Sequence, residues 1–445
     1  MAQDSILCAS CGRREVLRRG RDALCGYDWG VGAARVGHMR GIRALERTYV
    51  AIFRRHPVLV PLAVIMACAE TAYAGVNNFG LPLYIAAERT GLGVPIQALG
   101  RIVGLLTATF LMSETIGRFP FGRLSDKVGR KPLMVAGPAV GAASFLALSQ
   151  VGRYSAMFPL RILDGLAAAA LWPAVFATIG DRVPSQERAT AMSVVNTVYM
   201  AGIALGPMLA GQLIGVSGSQ AAPFFMASGC LLAAAATAGL AIPAGHPHAT
   251  GAPGESAASG VSGVRLAAML ALMFGQTFGV ILLAPFLSLY ARQELGMEAR
   301  HIPLLFVVPA GAVAVLALPL GRLADRLERR RAVQAGLCVG AATMWLVPVA
   351  GSFLALAAIG VVLAVAFAFA TPSWLAMVTE VAPDHERGAT LGKFGIAQGM
   401  GAVLGPLVGG FLYDHGHSYP FIASAALLTA STAVAFVGLP RAGER

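Results

Sequence analysis

Charge is scarce in this chain. Asp, Glu, Lys and Arg make up 13% of its 445 residues, about half the share found in ordinary soluble domains. Acids are the scarcer sign, 22 against 34 bases. A soluble chain of this length folds as several domains, each needing a polar surface, and so few charges cannot supply it. Six cysteines in 445 residues exclude a disulfide scaffold, and the low charge excludes disorder. Ser/His/Asp sets, metal-ligand clusters and phosphate loops are missing from the segments between apolar runs. His246, His248, His415 and His417 fall in loops without partners, so neither an enzyme, a metal site nor a cofactor is expected. What the chain has in plenty is apolar sequence: 56% hydrophobic residues and a mean hydropathy of +0.68. That is the composition of a polytopic helical membrane protein.

A helix crosses the hydrocarbon core with about 20 mostly apolar residues, since lipid offers no partner to a free backbone group. Such stretches occur about twelve times, near 57–85, 98–120, 133–150, 155–179, 189–214, 222–244, 265–291, 301–320, 333–351, 353–379, 389–413 and 418–438. With the N-terminus on the cytoplasmic side, inner segments hold 28 of the 34 bases. The outer loops hold Arg89, Arg101, Arg153, Arg292 and Arg300, and Arg161 lies within a span. Such an imbalance orients both termini to the cytoplasm of a bacterial inner membrane. The net charge of +12 thus becomes a membrane-orienting feature, and nucleic acid is not an expected partner.

Residues 1–55 form a basic extension. No apolar region follows its first arginines, so it is not a signal peptide, and 39–55 reads as an amphipathic helix at the inner interface. Cys8 and Cys11, with Cys25 and His38 beyond them, lack the second ligand pair of known zinc patterns. Cys68, Cys230 and Cys338 fall in spans and read as small core residues.

The chain repeats itself. Gly122-Arg-Leu-Ser-Asp126-Lys-Val-Gly129-Arg130-Lys131 returns 199 residues later as Gly321-Arg-Leu-Ala-Asp325-Arg-Leu-Glu328-Arg329-Arg330. At the same offset Pro173 matches Pro372, Arg188 matches Arg387, Gly202 matches Gly401, and Gly206-Pro207 matches Gly405-Pro406. Six spans (56–244) have therefore been duplicated (265–445). They are joined by a Gly/Ala/Ser/Pro/His-rich linker (245–264) with Glu255 as its single charge.

With these motifs the chain resembles a twelve-helix member of the major facilitator superfamily, over about residues 56–440. The resemblance implies an all-α membrane fold of two six-helix bundles related by a pseudo-two-fold axis, rocking about a central site. Spans 1, 4, 7 and 10 would line the cavity, and spans 2, 5, 8 and 11 would form the interface. It also implies a cytoplasmic latch built on Gly122, Asp126, Gly129 and Arg130, with a weaker second copy at Asp325 and Arg329, where Glu328 replaces the turn glycine. Gly202, Gly206, Pro207 and Gly211 in span 5, repeated as Gly401, Gly405 and Pro406 in span 11, resemble the family's antiporter pattern. Physically, such small-residue stripes let helices approach closely in lipid.

Ionisable groups inside spans are costly and mark function. Four occur, all in the first half: Glu70, Glu114, Arg161 and Asp164. Glu70 is the first choice for a proton-coupling site. Asp164, paired with Arg161 at i,i+3, is the second, and Glu114 can extend the latch. The counterparts of Glu114, Arg161 and Asp164 at offset 199 are uncharged, and aligning Tyr84 with Tyr290 sets Glu70 against Gln276. Tyr73, Asn77, Trp172, Gln276, Phe278, Trp374 and Met377 are expected on the cavity wall, an aromatic and Met surface suited to apolar or amphipathic cargo. The expectation is a monomeric, proton-driven exporter of small apolar or cationic compounds. The alternatives are a symporter or uniporter importing an organic acid gripped by Arg161, or a non-transporting scaffold or sensor.

Overall fold

A computed structural model describes residues 51–87, 92–243, 263–381 and 387–439. The chain divides into two units, Met1–Ile52 and Phe53–Arg445, the second of which holds the helices that span the membrane. The zinc-like cysteines, most of the expected amphipathic helix and the linker lie outside the described residues.

The described residues form twelve long helices and no strand. The first half comprises α1 (Leu59–Ala86), α2 (Ile96–Val128), α3 (Arg130–Leu148), α4 (Met157–Arg182), α5 (Ser185–Ser217) and α6 (Ala222–Ala241). The second comprises α7 (Gly263–Gln293), α8 (Leu304–Arg326), α9 (Arg329–Met344), α10 (Phe353–Val381), α11 (Arg387–His415) and α12 (Tyr419–Gly438). Eleven are long and apolar enough to cross a bilayer, and α8 carries a shorter apolar run, Leu304–Leu316. Two helices are irregular. α1 contains a π turn at Val76–Gly80, and α7 breaks between Leu283 and Leu287.

Packing repeats as the sequence does. In the first half α1 packs on α5 and α6, α3 on α4 and α6, and α2 on α4. The second half repeats every one of these pairings six helices later: α7 on α11 and α12, α9 on α10 and α12, α8 on α10. Two further pairs, α2 with α11 and α5 with α8, join the halves and exchange under the two-fold. Each half is thus a six-helix bundle.

The two ends of the molecule differ. One end, here the basic end, carries Arg54, Arg55, Arg123, Lys127, Arg130, Lys131, Arg182 and Arg188. At the far end the halves touch backbone to backbone. A Cβ on Gly410 would meet the Gly100 carbonyl, and one on Gly104 the Pro406 carbonyl. Likewise a Cβ on Gly211 would run into Pro303. The α2–α11 contact continues to Thr115, which approaches Gly399, and ends there. One and two turns nearer the basic end, Phe119 is 65% exposed, and Gly122, Gly392 and Gly395 have nothing within reach of an added Cβ. Among the described residues, the α2–α11 interface is closed at the far end and parted at the basic end.

Candidate functional site

All four intramembrane ionisable groups are buried in the first bundle, and Arg161 and Asp164 are fully so. They form two groups. In the first, Glu70 on α1 makes no hydrogen bond or ion pair among the described residues, while Glu114 on α2 stands close enough for their charges to interact. Glu114 accepts a hydrogen bond from Arg118 Nη2 at 2.7 Å, one turn nearer the basic end. Tyr199 on α5 lies in the field of both acids. Its ring packs edge-on against Trp172 at 5.8 Å, and Trp172 is 6.4 Å from Tyr73. The unpaired carboxyl is therefore flanked by an aromatic wall.

α5 can pass Glu70 only because it presents glycine there. A Cβ at Gly202 would lie 2.7 Å from Glu70 Cβ, and one at Gly206 would lie 2.5 Å from Gly75 N. The second copy of the motif does the same work: Gly401 and Gly405 meet α7 at Phe274, Thr277, Phe278 and Leu282. The last glycines, Gly211 and Gly410, point instead across to the other half.

In the second group Arg161 spends its donors inside the bundle. Nη1 donates to Asp164 Oδ2 at 2.9 Å, Nη2 to Asn77 Oδ1 at 2.6 Å, and Nε to the Leu106 carbonyl at 3.4 Å. The guanidinium sits over the Phe110 ring, 4.6 Å from its centroid. Asp164 Oδ1 and the Tyr73 hydroxyl make no hydrogen bond. Asn77 belongs to the π turn, a one-residue insertion in a helix and a frequent mark of functional sites.

That insertion corrects the alignment of the two halves. The glycine contacts make Glu70 equivalent to Thr277, and Thr71 equivalent to Phe278, an offset of 207 rather than 206. Past the π turn the offset of 206 holds, since Tyr84 stacks on Phe224 as Tyr290 does on Phe421. The neutral counterpart of Glu70 is thus Thr277, one residue from Gln276, and the charge asymmetry between halves stands.

The other expected wall residues lie in the second bundle, three of them (Gln276, Trp374 and Met377) around Leu337. Gln276 and Trp374 share a recess with Leu272, Val333, Leu337 and Phe367. Phe278 pairs with Phe274 at 5.5 Å. Met377 is buried in a cluster with Met269, Leu337 and Phe394. Tyr199 and Phe110 were not among the expected residues, although aromatic residues on spans 5 and 2 were available to find them.

At the basic end Asp126 and Arg130 pair at 2.5 Å. Arg130 also donates to Ser125 Oγ at 2.9 Å and to Asp181 Oδ2 on α4 at 3.1 Å, tying α2, α3 and α4 of one bundle together. Gly129 makes the intervening turn at φ 92°, open to glycine and strained for other residues. At the matching place Glu328 has φ −58°, so the second loop turns differently. Arg329 begins α9, and the Asp325 side chain lies outside the described residues. Nearby, Arg55 and His56 both contact Glu187, at 2.7 and 2.5 Å, joining the chain before α1 to the start of α5.

Two equivalent bundles, buried ionisable groups in one of them and an interface shut at one end define a two-bundle membrane protein. The family model of the Major Facilitator Superfamily matches residues 59–275 and 266–445, and the chain belongs to that family. It is 26% identical to multidrug resistance protein 2 of Bacillus subtilis (strain 168), over 76% of this chain and 89% of that protein. To multidrug resistance protein 1 of the same organism it is 25% identical, over 79% and 93%. A shorter match, 30% identical over 29% of this chain and 32% of the relative, is to the quinolone resistance protein NorA of Staphylococcus aureus. Among solved structures, a POT family transporter in complex with 5-aminolevulinic acid superposes with a TM-score of 0.72 at 12% identity, covering 86% of this chain and 96% of that one. A bacterial homologue of the human lysosomal transporter Spinster does so with a TM-score of 0.70 at 14% identity, covering 86% and 96%.

Proposed function

We propose that this protein is a proton-coupled exporter of small apolar or cationic compounds, working by alternating access in the bacterial inner membrane. The observation that carries this is Glu70, a buried carboxyl without a counter-ion among the described residues, in the field of Glu114 and of Tyr199 on the aromatic wall, whose equivalent in the second bundle is the uncharged Thr277. A carboxyl with no fixed partner can hold a proton in one state and a cation in another, because burying it bare as an anion is costly. The aromatic rings supply apolar area and cation–π attraction. The names of the Bacillus relatives agree with export of drugs. The basic end is assigned to the cytoplasm by its excess of Arg and Lys, which puts both termini inside and leaves the cavity open inward. The halves 56–244 and 265–445 move as units about the 245–264 linker, and the monomer suffices, since both halves lie in one chain.

The direct test is Glu70→Gln in proteoliposomes with an imposed proton gradient and a fluorescent organic cation. Gradient-driven transport is expected to fall at least tenfold while cation binding to detergent-purified protein remains measurable. Unchanged gradient-driven flux would sink the assignment. Import of an organic acid gripped by Arg161 is the weaker alternative, because that guanidinium is fully buried and each of its three nitrogens already donates within the bundle.

A further inference from the structure

The far end of the interface carries a polar connection between the two bundles. Asp414, one residue before the end of α11, reaches across to the start of α2. Its Oδ1 accepts the Gly100 backbone N–H at 2.7 Å. Its Oδ2 accepts Arg101 Nε at 2.8 Å and the Arg101 backbone N–H at 3.2 Å. The carboxylate is 4% exposed, the arginine 59%. We propose that Asp414 is the outer latch of the transport cycle: the contact holds the cavity sealed from outside and breaks each time the protein opens outward. The proposal rests on the alternating-access mechanism proposed above.

Three features of the structure support this. First, all three donors belong to the opposite bundle, and the backbone pair can be reached only while Gly100 and Gly410 touch. The bonds are therefore specific to the outward-closed state, and charge-assisted bonds are the strong ones. Secondly, the placement inverts that at the basic end. α2 and α11 run antiparallel; Asp126 sits near the last turn of α2 and Asp414 near the last turn of α11, so one helix pair carries an acid at each of its two ends. Thirdly, the two-fold mate of this contact lacks the acid. At offset 199 Arg101 corresponds to Arg300 and Asp414 to Gly215, and a Cβ on Gly215 would lie 3.5 Å from Arg300 Cβ. There Arg300 pairs locally with Glu298 at 2.6 Å. The α5–α8 contact closes without a cross-bundle carboxylate, so packing alone does not account for Asp414.

The test uses the full chain with its native cysteines replaced, spin labels at Gln97 and His415 (both exposed, on either side of the contact), and distances measured in nanodiscs without cargo. The parent protein is expected to give mainly a short distance. Asp414→Asn keeps the shape and one acceptor but cannot accept from Arg101 at its amide nitrogen. It is expected to raise the ratio of long to short distances about tenfold, the scale of losing hydrogen bonds to a charged group. Arg101→Gln is expected to raise it less, because both backbone donors remain, and it reads the same contact if Asp414→Asn does not fold. Gly215→Asp, which offers Arg300 the missing partner, is expected to lower it. A distance distribution unchanged in folded Asp414→Asn, or in Arg101→Gln where the first variant is lost, overturns the latch. The labels report separation and not flux, so failure of the proton-export proposal in a transport assay leaves this result readable.

Discussion

At the scale of single residues, the first bundle separates a fixed charge from a free one. Arg161 and Asp164 neutralise each other at 2.9 Å with Asn77 and the Leu106 carbonyl as further acceptors of the arginine, whereas Glu70 is left without a partner among the described residues. Removing one member of a buried pair strands the other at a cost of about 3–5 kcal/mol. Asp164→Ala is therefore expected to lower the melting temperature of the purified protein by several degrees, and Arg161→Met combined with Asp164→Leu by much less, since no charge is then stranded. Glu70→Gln is expected to leave melting unchanged or raise it while abolishing proton coupling. Melting curves of these variants decide the matter: a stabilised Asp164→Ala would show that this pair is not the structural one. The sign pattern follows from pairing, since both carboxyls are buried and only the removal of Asp164 strands a buried partner.

At the scale of helices, the glycine motif has two jobs set by which way each glycine faces. Gly206 on α5 abuts backbone, with Gly75 N and Thr71 O at 2.5 and 2.6 Å from an added Cβ. Gly229 on α6 meets nothing. Gly206→Ala is thus expected to destabilise by about 1–3 kcal/mol through overpacking, and Gly229→Ala to stabilise by about 0.5–1 kcal/mol through the lower chain entropy of Ala. Thermal melts of the two variants should shift in opposite directions, and shifts of the same sign would refute the packing account. Much at this scale could be read from the residues. Apolar length marked the spans, and an offset of 199 holding without a gap from Gly122 to Pro207 marked the duplication, because both are patterns along the chain. The π turn could not be read, because an extra residue in a helix leaves no pattern in the chain and shows only where Val76–Gly80 packs against α5 and α6, so the offset between Glu70 and its counterpart reads one residue short. Asp414 was invisible for another reason. It lies at the end of a span, where charge is unremarkable, and its partners are more than 300 positions away. Tyr199 beside Glu70 was missed likewise, since nothing in α5 alone says which face meets α1.

At the scale of the whole molecule, the question is whether the two ends of the interface close in alternation. The α2–α11 contact runs from Gly100 and Gly410 through Gly104 and Pro406 to Thr115 and Gly399. Extending that antiparallel register by one and two turns sets Phe119 against Gly395 and Gly122 against Gly392, residues that are uncovered in this state. If the bundles rock about the middle of this pair, those positions meet when the Gly100–Gly410 contact opens. Both glycines have room for a side chain here, so a Gly122→Cys/Gly392→Cys protein in a background free of native cysteines should fold normally. Its disulfide is expected to form slowly at rest and faster when Asp414→Asn loosens the outer end. Once formed, it should hold the Gln97–His415 distance at its long value. A disulfide that forms while that distance stays short would mean the two ends can close together, and rocking about a single centre would have to be abandoned. A carboxylate at each end of a single helix pair, of which Asp414 bridges the bundles in this state while Asp126 pairs within its own bundle, is a simple way for a duplicated fold to hold two states with a barrier low enough to cross.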